Sequence, residues 1–158
     1  YRGMPASASL RRFAPTPGDQ GRQGSCVGWA TAYATRTLTE AQLEEIDRRY
    51  RIDDTRFSPA YVYNQIKIGG CDGGSLIRDA MQVLERQGVA QLDEYPYDDG
   101  TCYRSVTSTD RRNAAPFKID DYKRLFTGDS RGKHVAMKLK PGGRNPRHFR
   151  DVDAGQLS

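Results

Sequence analysis

Cysteine and histidine are the residues of this chain with the most specific chemistry, and both are rare. The 158 residues contain three cysteines, Cys26, Cys71 and Cys102, and two histidines, His134 and His148. Their spacing matches no common zinc-binding pattern, so we predict no metal site. An odd number of cysteines leaves at least one thiol without a disulfide partner, and a thiolate is a nucleophile. The sequence therefore points first to thiol chemistry.

Cys26 lies where a helix is predicted to begin. Ser25 is a good N-cap residue, and apolar residues follow at helical spacing. These are Val27, Ala30, Ala34 and Leu38. The unpaired N–H groups and the dipole of a helix start favour the thiolate. The dipole contributes only about 0.3–1 kcal/mol, so full activation requires a cationic partner such as histidine.

Gln20 precedes Cys26 by six residues, in a segment rich in proline and glycine that is predicted to be a loop. Its side-chain amide and the Cys26 N–H could converge as two donors, which would form an oxyanion hole for acyl chemistry. Taken alone, a cysteine after Gly-Ser at a helix start is more often a small buried apolar residue.

Further elements must position this site. Ser58 and Pro59 predict the start of a second helix that ends at the glycines of positions 69 and 70. Ser75 is the predicted N-cap of a third helix, which Gly88 ends. Residues 116–126 alternate apolar and polar side chains and are predicted to form a strand.

The charge distribution excludes some classes of function. Residues 129–158 contain seven Lys or Arg and three Asp, whereas residues 1–128 contain 18 basic and 17 acidic residues. The basic residues share their segment with Pro141, Gly142, Gly143 and Pro146 and form no aromatic-interleaved stripe on a folded element, so we predict a solvated tail and no nucleic-acid partner. No run of about 18 apolar residues occurs, so we predict no membrane span.

Four motifs in order resemble papain-like cysteine peptidases, and bacterial-type members in particular. Residues 19–30, DQGRQGSCVGWA, resemble the nucleophile segment of that family. FSP at 57–59, CDGG at 71–74 and YPY at 95–97 follow in the family's order. The resemblance covers about residues 9–126 and implies an α+β, papain-like fold, with a helical left lobe and an incomplete β-rich right lobe.

The resemblance also implies roles for individual residues. Cys26 would be the nucleophile and Gln20 the oxyanion-hole donor. Gly73 and Gly74 would offer backbone N–H and C=O groups to an extended polypeptide substrate, which would pair as an added strand. The alternative for the two glycines is a turn that leads into a helix. No cofactor is implied.

The chain departs from the family at its cysteines. Gln23 stands where many relatives have a cysteine that pairs with the one at Cys71, and Cys102 also lacks its usual upstream partner. Cys71 and Cys102 could pair with each other, which would close a loop of about 30 residues and stabilise the fold by roughly 3–4 kcal/mol. Two free thiols are the alternative.

The catalytic base is the weak point of the resemblance. His134 is the better candidate of the two histidines. It lies only 37 residues after Tyr97, however, and no Asn-Ser-Trp segment follows it. Residues 133–139 resemble instead the Lys-rich helix that precedes the first strand of the family's β lobe. His148 lies in a segment without an apolar pattern. We therefore expect a truncated chain whose catalytic His and Asn are missing.

These observations combine into one prediction of organisation and function. Residues 1–24 would be an extended segment, 25–105 the helical lobe, 106–140 a partial β lobe and 141–158 a basic, poorly ordered tail. The predicted function is a papain-like cysteine endopeptidase with little or no activity in this chain. The alternatives are a non-catalytic peptide-binding homologue or another thiol acyltransferase or amidase.

Overall fold

The helices of this chain are held together by a core of aromatic and aliphatic side chains. The structure, a computed structural model, describes residues 7–124 and 135–139, with side chains for residues 7–123. The predicted tail at 141–158 lies outside the described residues, as do His134 and His148.

The first helix begins at Cys26, as predicted, and continues without a break through three segments. They are α1 (Cys26–Gly28), a π-helical segment (Trp29–Arg36) and α2 (Thr37–Leu43). Ser25 is the N-cap residue, but its side chain makes no capping hydrogen bond. Glu45, with a φ of 53°, lies just beyond the C-terminal end, in a left-handed conformation that does not continue a helix.

Four further helices are α3 (Arg49–Asp53), α4 (Pro59–Ile66), α5 (Ile77–Arg86) and α6 (Ser108–Ala114). The predicted start of α4 is confirmed, because the Ser58 hydroxyl accepts the Tyr61 N–H at 3.1 Å and Pro59 is the first helical residue. Short 3-10 helices occupy Arg11–Phe13 and Ala115–Phe117.

One prediction about these helices was wrong in detail, and one helix was missed. Ser75 does not cap α5, which begins at Ile77 after Leu76, a residue with extended backbone. Helix α6 was not predicted. Its start is a capping box in which Thr107 and Asp110 bond to each other's backbone N–H groups. This capping box could have been found in the sequence, because it requires only a Thr and an Asp three residues apart.

The core lies where α4 and α5 pack against the first helix. Its fully buried members include Tyr61, Val62 and Leu84, and Ile119 carries the core toward the strands. Arg36 is also completely buried, and its guanidinium bonds to Glu40 at 2.6 Å. A buried charge needs such a partner.

The strands form one antiparallel pair. β1 (Ile119–Arg124) lies within the predicted strand at 116–126 and pairs with β2 (Val135–Leu139), so that Arg124 faces Val135 and Ile119 faces Leu139. The likeness of residues 133–139 to a Lys-rich helix was therefore misleading for residues 135–139. Cross-strand pairing with β1 decides the conformation of this segment. The described residues thus form a helix-rich lobe with a two-stranded sheet.

Candidate active site

Cys26 is a free, exposed thiol at the first residue of the first helix. The other two cysteines, Cys71 and Cys102, are joined by a disulfide with a Cα–Cα distance of 5.4 Å. Of the two alternatives left by the sequence, pairing is therefore the one observed. Because the chain has only three cysteines, Cys26 is its single thiol when this disulfide is formed.

Gln20 lies in the loop that leads into the first helix. Its Nε2 atom donates a hydrogen bond to the Gln23 carbonyl oxygen at 2.6 Å, and the side chain is partly buried. An amide nitrogen carries two hydrogens, and the second has no acceptor within residues 7–123. The backbone N–H of Cys26 likewise has no acceptor in that part of the chain, as expected at a helix start. Each predicted oxyanion donor thus retains one N–H without an acceptor in residues 7–123, although the other hydrogen of the Gln20 amide is used.

The Tyr97 hydroxyl connects the two ends of this loop. It donates to the Gln20 carbonyl oxygen at 2.7 Å and lies 2.7 Å from the Ser25 hydroxyl. A phenol has one hydrogen, so Ser25 is the donor in the second bond. The sequence identified residues 95–97 only as a turn and missed this role, because neither composition nor periodicity indicates which loop a tyrosine will reach.

Gln23 also connects this loop to the segment that contains Tyr97. Its Nε2 atom donates to the carbonyl oxygens of Asp98 at 2.6 Å and Thr101 at 2.8 Å. The side chain is buried. At the position where many relatives have a cysteine, this chain therefore has an amide that makes two hydrogen bonds.

The glycine turn at residues 69–74 approaches the loop at Gly24. The Gly24 N–H donates to the Cys71 carbonyl at 2.9 Å. A Cβ atom on Gly24 would lie only 2.3 Å from the Gly73 carbonyl oxygen, so no larger residue fits there. From the opposite side, the Tyr63 hydroxyl lies within hydrogen-bond distance of the Cys71 and Gly73 carbonyl oxygens. The turn and the thiol thus belong to one connected site.

The two glycines predicted to bind substrate differ in their surroundings. The Gly73 N–H donates to Gly70 at 3.0 Å, and its carbonyl faces Tyr63. Gly74 is exposed. Its carbonyl accepts the Ile68 N–H at 2.9 Å, and its own N–H has no acceptor in the described residues. A free backbone donor is therefore present at Gly74, whereas the Gly73 N–H is used internally.

Comparison with known proteins gives two similar cysteine proteases. A low-temperature-induced cysteine proteinase of Solanum lycopersicum is 25% identical, over 84% of this chain and 38% of that protein. Xylellain, a cysteine protease from Xylella fastidiosa, superposes with a TM-score of 0.53 and 22% identity, over 77% of this chain and 56% of that structure. The fold of this chain is papain-like. No family model matches the sequence.

These matches confirm the predicted resemblance and the predicted α+β fold class. At the level of the family, they support a papain-like cysteine peptidase. The chain spans well under half of the tomato proteinase and just over half of the xylellain structure. The activity of a whole papain-like protease is therefore only proposed for this chain, below.

Burial and nearby negative charge both act on the pKa of Tyr63, whose hydroxyl contacts the glycine turn. Burial raises the pKa of Tyr63 above its ordinary value, and Asp72, Tyr97 and Cys26 raise it further by their negative or partial charges. Tyr63 therefore keeps its proton at neutral pH and remains a hydrogen-bond donor to the glycine turn.

Trp29 and Tyr33 lie one and two helical turns after Cys26. Tyr33 is buried, but Trp29 is only half-buried. Its ring packs against Tyr33 at 4.5 Å and against Tyr97 at 5.0 Å between centroids. Trp29 also lines an apolar groove of about 390 Å³, together with Pro15 and Gly18.

Neither histidine can be placed relative to Cys26, because both lie outside the described residues. Within residues 7–123, no group of three His, Cys, Asp or Glu side chains is arranged to hold a metal ion. Among the described helices, none combines the length and the apolar character that a membrane span requires.

Proposed function

We propose that this chain provides the nucleophile lobe of a papain-like cysteine endopeptidase, with Cys26 as the nucleophile. The observation that carries the proposal is a free, exposed thiol at the first residue of a long helix. The Cys26 N–H and one hydrogen of the Gln20 amide have no acceptor in residues 7–123. In other surroundings an exposed thiol would be unremarkable. Here the thiol lies in the segment at residues 19–30 that resembles the family's nucleophile segment, which supports the proposal.

The proposed reaction is acyl transfer to sulfur. The Cys26 thiolate adds to the carbonyl carbon of a peptide bond, and the carbonyl oxygen becomes an oxyanion. The Cys26 N–H and the Gln20 amide donate to that oxyanion. Collapse of the intermediate breaks the C–N bond and leaves a thioester, and the departing amine takes a proton from a general acid. Water then hydrolyses the thioester.

The substrate is proposed to be an extended polypeptide that pairs with the glycine turn. The free N–H of Gly74 supports this mode of binding, since an extended peptide recognises exposed backbone groups as an added strand would. In this proposal Gly73 contributes through its position, because its own N–H already bonds to Gly70.

The general base is the missing part of the proposed mechanism. His134 remains the candidate, directly before β2 in the sequence. Its short separation from Tyr97 argues against the family's usual placement, so we expect little or no turnover of peptide substrates by this chain. A non-catalytic peptide-binding role is the second candidate, and it is supported by the exposed Gly74, whose N–H has no acceptor in the described residues.

Labelling with a peptidyl epoxide tests the nucleophile, because Cys26 is the single free thiol. We expect labelling at least about tenfold faster than that of a free thiol such as glutathione, because the site aligns the reacting groups, and none in Cys26→Ala. Labelling no faster than that of glutathione would contradict the proposed site.

A fluorogenic peptide assay tests the base. Turnover that both Cys26→Ala and His134→Ala abolish would show that our expectation of an inactive chain is wrong.

A further inference from the structure

The Tyr97 hydroxyl contacts both ends of the loop that carries the proposed oxyanion donors. We propose that Tyr97 is a positioning residue, which orients the Gln20 amide and the Cys26 N–H toward a common point. This inference rests on the proposed function, because it assigns Tyr97 a part in the same site. Tyr97 itself touches no reacting atom in this proposal.

The geometry supports a role for the hydroxyl rather than for the ring alone. It donates to the Gln20 carbonyl and accepts from the Ser25 hydroxyl, each at 2.7 Å. Gln20 carries one proposed donor on its side chain. Ser25 directly precedes Cys26, whose N–H is the other proposed donor. One oxygen atom therefore fixes the backbone next to both donors.

Tyr97 is itself held firmly. Its ring lies edge-on to Trp29, with 5.0 Å between centroids and an interplanar angle of 76°. The next residue, Asp98, accepts the Gln23 amide at 2.6 Å. The hydroxyl is thus anchored from its ring and from its backbone, which makes it a suitable fixed point for the loop.

Removal of this hydroxyl should affect donor placement more than the thiol. The Gln20 carbonyl and the Ser25 hydroxyl would then bond to water, and the loop would gain freedom. Cys26 would stay at the helix start, exposed as before. Preorganised donors stabilise an oxyanion only while they are held in place, so reactions that generate an oxyanion should be the ones that suffer.

The test compares two reagents on the 158-residue chain. The Cys26 thiolate adds reversibly to a peptidyl aldehyde: the S–C bond forms, the C=O π bond opens and the negative charge passes from sulfur to the former carbonyl oxygen, which occupies the oxyanion hole. Iodoacetamide alkylates the same sulfur with loss of iodide and forms no oxyanion. The ratio of aldehyde affinity to alkylation rate therefore reports donor placement separately from thiol reactivity.

We expect Tyr97→Phe to weaken aldehyde binding about three- to tenfold, the usual worth of one or two hydrogen bonds, and to change the alkylation rate less than twofold. The control is Tyr95→Phe, which removes a buried hydroxyl that bonds to the Arg104 carbonyl at 2.6 Å, away from the loop. It should leave the ratio unchanged. If the ratio of aldehyde affinity to alkylation rate is the same in Tyr97→Phe as in wild type, the inference is overturned.

Two further measurements keep the test decisive. The chain has a single tryptophan, so unchanged Trp29 emission in Tyr97→Phe shows that the ring has kept its place. If the emission shifts, the same two reagents are compared on Ser25→Ala, which removes the hydroxyl that donates to Tyr97. A lowered ratio of aldehyde affinity to alkylation rate supports the inference, and an unchanged ratio overturns it.

Failure of the proposed function would be distinguishable from failure of the inference. If wild-type protein forms no aldehyde adduct, the proposed function falls. Amide hydrogen exchange of residues 20–26 then judges Tyr97 independently. Faster exchange in Tyr97→Phe than in Tyr95→Phe supports the positioning role, and equal exchange overturns it.

Discussion

Two loops flank Cys26, and they are held by different kinds of bond. The nucleophile loop, residues 18–25, is held by neutral side-chain hydrogen bonds from Tyr97 and Gln23. The glycine turn, residues 69–74, is held by the covalent bond between Cys71 and Cys102, with Tyr63 beneath it. One edge of the site is thus fixed by several weak bonds, and the other by a strong one.

Both loops are nevertheless fastened to the same segment, residues 97–102. Cys102 holds the glycine turn, while Tyr97 and the carbonyls of Asp98 and Thr101 hold the nucleophile loop. In many relatives a cysteine at the position of Gln23 would bond directly to the glycine turn. Here the connection runs through a third segment, which makes residues 97–102 the common anchor of the site.

The largest expected effect comes from loss of the covalent bond. The double variant Cys71→Ser/Cys102→Ser should lower the free energy of unfolding by about 3–4 kcal/mol, because it opens a loop spanning 31 residues and frees the unfolded chain. Urea unfolding with and without reductant measures this. Wild type should lose a similar amount in reductant, and the double variant should not respond to it.

The matched control for this variant is Cys26→Ser. It makes the same chemical change at an exposed thiol, so the free energy of unfolding should change by less than about 0.5 kcal/mol. A wild-type unfolding curve that reductant leaves unchanged would show that hydrogen bonds suffice to hold the glycine turn, and the contrast between the two loops would disappear.

Local sequence signals were enough to predict the start of the first helix, but not the exposure of its thiol, because a cysteine at such a helix start is more often buried. A cap residue, helical spacing and a preceding Pro/Gly-rich loop all act within a few residues of Cys26. The motif resemblance added the role of Cys26 as a nucleophile and the substrate-binding role of the glycine turn. The start of α4 followed equally from Ser58 and Pro59, because that cap is also a local interaction.

Contacts between distant segments could not be predicted in the same way. The Cys71–Cys102 bond, the two carbonyls that Gln23 reaches and the two partners of Tyr97 all depend on how separate loops meet. The strand at residues 135–139 forms by pairing with β1, and the local Lys-rich pattern gave no sign of that partner. Tertiary pairing here outweighs local preference.

A second variant pair tests the point where the two loops touch. In Gly24→Ala the new Cβ would lie 2.3 Å from the Gly73 carbonyl oxygen, so backbone must move, at a cost of about 1–3 kcal/mol. In the control, Gly74→Ala, the new Cβ meets nothing within 4 Å, and we expect a change below about 1 kcal/mol. Thermal unfolding of both variants makes the comparison. Equal destabilisation would show that the two loops do not depend on close contact at Gly24.

The smallest expected effect concerns the hydrogen bonds that hold the nucleophile loop. Gln23→Leu removes the donor to the Asp98 and Thr101 carbonyls. Both acceptors belong to exposed residues, so water can replace the amide, and the free energy of unfolding should fall by only about 1 kcal/mol. The control is Gln65→Leu, whose amide donates to the Tyr61 carbonyl one helical turn away and should matter less.

Hydrogen exchange gives this last comparison its specificity. The Gln20 amide bonds to the backbone carbonyl of residue 23, which Gln23→Leu retains, so the loop should loosen at residues 22–24 while the glycine turn keeps its protection. If exchange quickens equally in both loops, the amide of Gln23 supports the whole anchor at residues 97–102. In that event, the nucleophile loop and the glycine turn would open together as one cooperative unit, which the disulfide and the two hydrogen bonds of Gln23 stabilise jointly.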